Sequence, residues 1–345
     1  MQCLYAKAQQ KPGIKCVICY YNPNSISHDY SKNTFSFKSL HGFLQCLRAG
    51  VIFFDHALVP GITRYRHKCV NLWHGVPIKA IRYFLQEDFS PGYLKQQSQN
   101  TSMLISSSCV DRLAMSACFQ IPPEKVLLTG LPRNDLLIDP ESFIAQMPHL
   151  EYERNLITKI KGKRRLVLYA PTYRGSSSQK SQVLTVTSLD EDTLGRVLKK
   201  YNAVLGVRGH VFSSKPMFPA LFAEGLAVDL STQIITNTNL LLNYVDLLIT
   251  DYSSIWVDFI LKERPVLAFC PDMEDFLNNR GFIYDFTDIF PGKITTTISE
   301  LATELDSSLS SVEVLNEKYK KIIKMFHQYH DGHNTDRVLN AVIKL

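Results

Sequence analysis

The stretch Cys69-Val70-Asn71-Leu72-Trp73-His74-Gly75-Val76-Pro77-Ile78-Lys79 joins an apolar run of β character to a His-Gly turn, a proline and a lysine. A buried strand that empties into a glycine turn is where open α/β sheets keep their chemistry. An imidazole titrates near neutrality, so His74 can take or give a proton at working pH. Gly75 permits a sharp bend or close approach to a ligand. Pro77 suits the first turn of a helix, which would set Lys79 about one turn from His74. Taken alone, these residues fit a core histidine ahead of an ordinary turn at least as well.

Four more segments end apolar runs with reactive side chains. Tyr169-Ala170-Pro171-Thr172-Tyr173-Arg174 supplies a hydroxyl at Thr172 and a guanidinium at Arg174. Arg208-Gly209-His210 supplies a guanidinium that can grip a phosphate through two N–H groups and an imidazole that can donate when protonated. Thr250-Asp251-Tyr252-Ser253-Ser254 opens a helix, whose free N–H groups and positive dipole end favour phosphate. Capping by Asp251 or Ser253 explains the same residue types. Asp258, one turn past Ser254, either orients donors or faces water. Gly130-Leu131-Pro132-Arg133-Asn134-Asp135 is a stiff polar turn in which Asn134 or Asp135 can cap the helix that follows.

Two other patterns invite a metal and do not sustain it. His327, His330 and His333 follow one another at helical spacing, yet Gly332 should end that helix and turn His333 away, leaving a solvated pair. Cys16 and Cys19 have C-x-x-C spacing inside the strand-like run Ile14–Tyr21, where side chains three apart point to opposite faces. They read as two core cysteines of a reducing compartment.

The elements that must position these residues alternate. Apolar runs at Ile14–Tyr21, Gly50–Asp55, Lys68–Trp73, Ser102–Ser106 and Lys125–Thr129 are interleaved with helical patterns at Phe37–Arg48 and Val110–Phe119. The charged helical stretch Glu141–Lys163 separates them from a second series: Arg165–Ala170, Ala203–Val207, Val245–Thr250 and Pro265–Phe269, with helices at Asp190–Tyr201 and Ser253–Lys262. Helical patterns at Leu301–Leu309, Val312–Tyr329 and Asn334–Leu345 close the chain. Alternating short strands and helices specify doubly wound parallel sheets. Two such halves, residues 1–150 and 151–345, would face a central cleft suited to an activated donor and an acceptor, with the last helix packing back on the first half.

Bulk properties narrow the partners. At 345 residues the chain has room for two full cores, and 45% hydrophobic against 20% charged residues excludes a disordered chain. A net charge of +6 is mildly basic. It fits anionic substrates or an anionic membrane surface and falls short of a nucleic-acid-binding balance. The eight cysteines show no disulfide spacing. No run is long enough to span a bilayer, and Met1–Lys15 lacks a signal-peptide core, so a cytoplasmic location is expected. The lysines of Lys318–Lys324 make a basic amphipathic helix, a solvated face or a contact with anionic lipid.

Taken together, the segments resemble the CDP-glycerol glycerophosphotransferases, the primases and polymerases of teichoic acids and related capsules. The carrying motifs are Trp73-His74-Gly75-Val76-Pro77-Ile78-Lys79, Gly130–Asp135, Tyr169–Arg174, Arg208–His210 and Asp246–Ser254 with Arg264-Pro265. They stand in the family's order and are followed by Asp331-Gly332 and Arg337. Val76 stands where the family usually has threonine, and Tyr173 where it has tryptophan. Residues up to about Arg48 match poorly, which leaves acceptor choice open.

The resemblance implies a GT-B fold and transfer of glycerol phosphate from CDP-glycerol to an acceptor hydroxyl on a glycan or lipid carrier, releasing CMP. It implies His74 as general base, with Arg208 and His210 stabilising charge on the attacked phosphate. Donor binding would fall to Gly75, Thr172, Arg174, Asp251, Ser253 and Ser254. Trp73, Lys79, Arg133, Asn134 and Asp258 would line the cleft. No D-x-D metal motif stands in a convincing place, so no obligatory metal or cofactor is expected; magnesium is allowed but not indicated. CDP-ribitol or a nucleotide sugar is the alternative donor, and a non-catalytic binding protein the alternative class. The expected location is the cytoplasm, with peripheral contact on the inner face of the cell membrane as the further option.

Overall fold

The computed structural model describes residues 1–20, 33–85, 89–172, 188–209, 218–311 and 316–343. The chain divides into two compact units: Met1–Tyr152 together with Met325–Leu345, and Glu153–Lys324. The final helix, Asn334–Ile343, thus groups with the first unit.

The first unit opens with a helix, Gln2–Gln9, and a two-stranded parallel pair, β1 (Ile18–Tyr20) and β2 (Thr34–Ser36). A helix at Leu40–Arg48 follows. Its main sheet is β3 (Val51–Phe54), β4 (Lys68–Asn71), β5 (Met103–Ser106) and β6 (Val126–Leu128), parallel and in sequence order. All four residues of β5 are buried, as expected of a strand covered on both faces.

The second unit is a six-stranded parallel sheet made of β7 (Arg165–Ala170), β8 (Ala203–Val207), β9 (Ala227–Asp229), β10 (Leu247–Thr250), β11 (Val266–Phe269) and β12 (Lys293–Thr295). Their spatial order is β12-β11-β10-β7-β8-β9. The chain therefore starts in the middle, winds outward through β8 and β9, and returns to lay β10 on the other side of β7. This reversal between β7 and β10 is a topological switch point, where the connections leave to opposite sides and open a crevice at the strand carboxyl ends. Val167, Tyr169, Leu205, Leu247, Ile249 and Leu267 form one face of the core with Leu194, Leu198, Leu301 and Leu305. The alternate residues Leu166, Leu168, Leu248 and Ala268 are also buried, which explains why these strands read as continuous apolar runs.

Several expectations need correction. Pro77 does not begin a helix: residues 76–81 run on without one to a single 3-10 turn at Arg82–Phe84. Val76, Pro77 and Ile78 are all buried, and three consecutive buried side chains suit an extended segment better than one face of a surface helix. The expected Val312–Tyr329 helix spans Glu317–Phe326. Its Tyr319, Ile322, Ile323 and Phe326 are buried, so its apolar face is occupied and its lysines form a solvated face. The helix also stops short of the histidines. His327 is buried, His330 lies 3.2 Å from the His327 carbonyl oxygen, and His333 pairs with Asp336 at 3.4 Å. Cys16 is half-buried and Cys19 exposed, so neither is a core cysteine; Cys19 Sγ lies 3.4 Å from Cys46 Sγ.

Candidate active site

In the first unit the candidate residues gather at the carboxyl ends of β3, β4 and β6. β4 ends at Asn71, whose Oδ1 accepts the Trp73 N–H at 2.8 Å. That bond closes a turn with Trp73 at φ +46°, a left-handed conformation uncommon for so bulky a residue. The Trp73 ring is fixed by neighbours: Phe119 edge-on at 4.9 Å, the Arg82 guanidinium at 5.1 Å and the His74 ring at 3.9 Å. Backbone strain of this sort, held in place by packing, concentrates where a side chain must be aimed.

His74 is the side chain so aimed. Its ring lies between Trp73 and His56, the latter stacked at 4.6 Å. Nδ1 is 3.0 Å from the carbonyl oxygen of Asp55, at the end of β3. A carbonyl can only accept, so Nδ1 carries the proton and Nε2 keeps its lone pair. His74 as a residue is exposed to solvent. Partial desolvation, together with electrostatic coupling to His56 and the charge of Arg133, holds His74 below an ordinary histidine at about 4, against the opposing pull of the Asp55 carbonyl. The imidazole is therefore neutral at physiological pH, as a proton acceptor must be.

Arg133 joins two of the sequence motifs. It donates to the His74 carbonyl oxygen, and a Cβ on Gly75 would collide with its guanidinium. Gly75 also has φ +136°, a region that only glycine enters freely. Here the glycine is required by protein packing. Val76 is 1% exposed, so its departure from the family's threonine falls in the core. Lys79 is half-buried.

The rest of the Gly130–Asp135 motif serves the fold. Asn134 and Asp135 are buried, and Asp135 caps a helix far along the chain instead of its own. Its two oxygens accept the N–H groups of Asn334 at 2.9 Å and Thr335 at 2.7 Å, the first residues of the final helix. Gly130, at φ +74°, leaves room for the Asn334 side chain. Arg337 pairs with Asp331 and covers Tyr329, its guanidinium 3.7 Å from the ring centre. That ion pair holds the Asp331 carboxyl at about 2.

In the second unit the candidates stand at the switch point. Asp251, just past β10, accepts from the Thr172 N–H at 2.8 Å and the Thr172 hydroxyl at 2.7 Å, just past β7. It also accepts from the Ser253 N–H at 3.1 Å. Asp251 thus ties the two strand ends together and shapes the turn that presents Ser253 and Ser254. Ser254 precedes the short helix Ile255–Phe259 without a side-chain capping bond, which leaves its hydroxyl out of the cap. Asp258 is buried and not a solvated helix residue.

Arg208 follows β8, its N–H bonded to Tyr169 O at 2.8 Å. Its guanidinium is buried and donates to Leu230 O at 2.7 Å, Ile235 O at 3.0 Å and Thr238 Oγ1 at 2.9 Å. Three of its five N–H groups are spent on the segment after β9. Desolvation lowers its pKa to about 10, still well above physiological pH. Arg174, Tyr173 and His210 lie outside the described residues. Sequence reasoning missed His56 and Arg82. His56 stands at the carboxyl end of β3 as His74 stands near that of β4, so the same strand-end rule could have found it. Arg82 contacts Trp73, Phe89 and Phe119 through its guanidinium, and no local spacing signals that.

Comparison with known proteins places the chain. Residues 1–344 match the family model described as CDP-Glycerol:Poly(glycerophosphate) glycerophosphotransferase. The teichoic acid ribitol-phosphate polymerase TarK of Staphylococcus aureus (strain NCTC 8325 / PS 47) is 28% identical over 303 residues, covering 86% of this chain and 57% of TarK. The teichoic acid poly(glycerol phosphate) polymerase of Bacillus subtilis (strain 168) is 28% identical, covering 83% of this chain and 38% of that protein. The chain spans about half the length of the curated relatives it matches. The solved structure of the wall teichoic acid polymerase TagF superposes with a TM-score of 0.81 at 21% identity, over 99% of this chain and 84% of that one. The chain belongs to the CDP-glycerol:poly(glycerophosphate) glycerophosphotransferase family.

Proposed function

We propose that this chain transfers glycerol phosphate from CDP-glycerol to a hydroxyl of a glycan or lipid-linked acceptor and releases CMP. The observation that carries the reading is His74, held in one tautomer by the Asp55 carbonyl, kept neutral, and with its Nε2 lone pair uncommitted. A hydroxyl is a weak nucleophile at neutral pH, and a positioned imidazole remedies that. The acceptor oxygen attacks the β-phosphorus of CDP-glycerol. Its proton passes to His74 Nε2. The bond from the β-phosphorus to the bridging oxygen breaks, and the electron pair leaves with CMP.

Charge gathers on the transferring phosphoryl group, and preorganised donors lower the cost of that charge. In this reading Arg208 and His210 supply them. Thr172, Arg174, Ser253 and Ser254 hold the donor pyrophosphate, with Asp251 fixing the turn. The two units act as the two halves of a GT-B-like transferase, His74 serving the acceptor side and the switch-point residues the donor side. The reading assigns no step to a metal, and turnover should survive EDTA. A requirement for added magnesium would overturn that part. The working location is the inner face of a cell membrane, where a lipid-linked acceptor would sit.

CDP-ribitol is the second donor to test, because several relatives are named ribitol-phosphate polymerases. Incubation with CDP-glycerol, CDP-ribitol and nucleotide sugars, read as nucleotide release in the presence of a lipid-linked disaccharide, decides among them. CMP release from CDP-glycerol alone is the expected result. Release only from a nucleotide sugar would overturn the class. Binding of cytidine nucleotides without any release would favour a non-catalytic protein.

A further inference from the structure

The His74 ring is a slab between two others, and one buried cation holds both of its neighbours. On one side the His56 ring is stacked at 4.6 Å, and on the other the Trp73 ring lies at 3.9 Å. Arg82 is 7% exposed and donates through Nη2 to the carbonyl oxygen of His56. The same guanidinium lies 5.1 Å from the Trp73 ring, 5.3 Å from Phe119 and 5.4 Å from Phe89. Phe119 in turn meets Trp73 edge-on at 4.9 Å. Arg82 also has φ +52°, a left-handed conformation that a long side chain rarely adopts and that only the surrounding structure sustains.

The consequence falls on Asp55 and His56. β3 ends at Phe54, whose carbonyl oxygen accepts the Leu72 N–H at 2.8 Å. Asp55 and His56 lie beyond the strand, so the sheet does not fix them. Yet the Asp55 carbonyl is what holds the His74 tautomer, at 3.0 Å from Nδ1. By gripping the next carbonyl along, Arg82 sets where the Asp55 carbonyl points. By packing on Trp73, it sets the opposite face of the imidazole. Among the described residues, the charges that act on His74 are those of His56 and Asp55 beyond β3 and of Arg133 on the helix Pro132–Ile138. Arg82 therefore acts on His74 by position and not by field. A site is only as exact as the packing and hydrogen bonds behind it, and a planar fork that stacks and donates together supplies both. We propose that Arg82 is the positioning residue of this site, holding His56 and Trp73 against the two faces of the His74 ring and the Asp55 carbonyl at its Nδ1. The inference rests on His74 as the base, but its first readout is made without donor or acceptor, so the two can fail separately.

The experiment is heteronuclear NMR of the full chain labelled at histidine, with the His74 signals assigned by their loss in His74→Ala. Wild type should show one tautomer, protonated at Nδ1, until it titrates at about 4. Arg82→Met keeps the bulk of the side chain and loses the fork. In that variant the two tautomers should mix, and the titration should move toward the ordinary histidine value of 6.5. Its kcat should fall by about tenfold to a hundredfold, with the KM for CDP-glycerol nearly unchanged. Added to His74→Ala, the substitution should cost no further turnover, because a residue that acts only through His74 has nothing left to position. Arg82→Gln carries the same test if the methionine variant does not fold. An unchanged His74 spectrum in a folded Arg82 variant would overturn the proposal, and so would full additivity of the two substitutions. Near-normal turnover of His74→Ala beside a changed spectrum in Arg82→Met would end the base assignment and uphold the hold of Arg82 on the ring.

Discussion

His74 and Arg208 both stand at the carboxyl end of a parallel strand next to a glycine, yet the fold treats them in opposite ways. His74 is tied at one nitrogen and left open at the other. Arg208 is buried, and most of its donors are already bonded to Leu230, Ile235 and Thr238. The first side chain is positioned by the fold and available to a substrate. The second holds a segment of the fold in place, and what it offers a phosphate is its charge plus the N–H groups that remain. A strand-end motif marks a residue as placed and does not say how much of its bonding capacity is left.

The sharpest break between the two comes from removing each. His74→Ala should lower turnover by about 10²–10⁴-fold, the usual worth of a positioned general base, and leave the melting temperature almost unchanged. Near-normal turnover would end the base assignment. Arg208→Ala should lower turnover and stability together, because each buried acceptor left without its donor costs about 1–3 kcal/mol. Loss of turnover with an unchanged melting curve would show that its three bonds carry no structural weight.

The pH profile tests the same contrast from the side of His74. Its folded pKa, about 4, lies below the ordinary histidine value of 6.5. The imidazole therefore stays neutral further into acid. The ratio kcat/KM should remain level through pH 6.5 and fall only on approach to 4. The linked effect on stability has a definite sign. The unfolded chain takes up this proton first, so His74 costs the fold nothing above pH 6.5, and its part in stability declines as pH falls from 6.5 toward 4. A half-point for kcat/KM near 6.5 in wild type would show that desolvation does not act on this ring in solution.

Gly75→Ala probes how finely His74 is aimed. The substitution meets the positive φ and the Arg133 guanidinium together. The backbone part costs about 1–3 kcal/mol. Arg133 can swing away at its flexible end, so the larger consequence is for the turn that carries His74. Turnover should fall by about tenfold to a hundredfold, since misplacing a reacting group by an ångström can cost about a hundredfold. Wild-type turnover would mean that the Arg133 contact does not hold the turn.

The parallel core was legible because β7, β8 and β10 are buried on both faces and announce themselves as unbroken apolar runs. β2, β9 and β12 were not, since each is a three-residue strand with at most two apolar residues, where β6, equally short and also at an edge, has three. The helices Gln2–Gln9 and Pro91–Asn100 were also missed, being too polar or too short to show a clear apolar face. In the candidate site, His74, Arg208, Thr172 and Asp251 were legible as residue types at strand ends. The Thr172–Asp251 bond was not, because the switch point joins residues 79 positions apart. Nor was the burial of Val76, since one position beside a turn does not reveal which way its side chain faces.

Asp135 carries the comparison to its limit, as a motif residue whose bonding is directed into the fold. It is buried, and both oxygens cap the helix that begins at Asn334. Burial raises its pKa, and the bonds from Thr335 and Asn334 oppose that rise. Asp135→Ala should cost about 1–2 kcal/mol, the upper range for a lost N-cap, and open amide exchange across 334–343. Turnover per folded molecule should change least of all these variants. A large drop in turnover with the helix still protected would move Asp135 from the frame of the site into its chemistry, and would mean that a residue saturated by backbone bonds can still act on substrate.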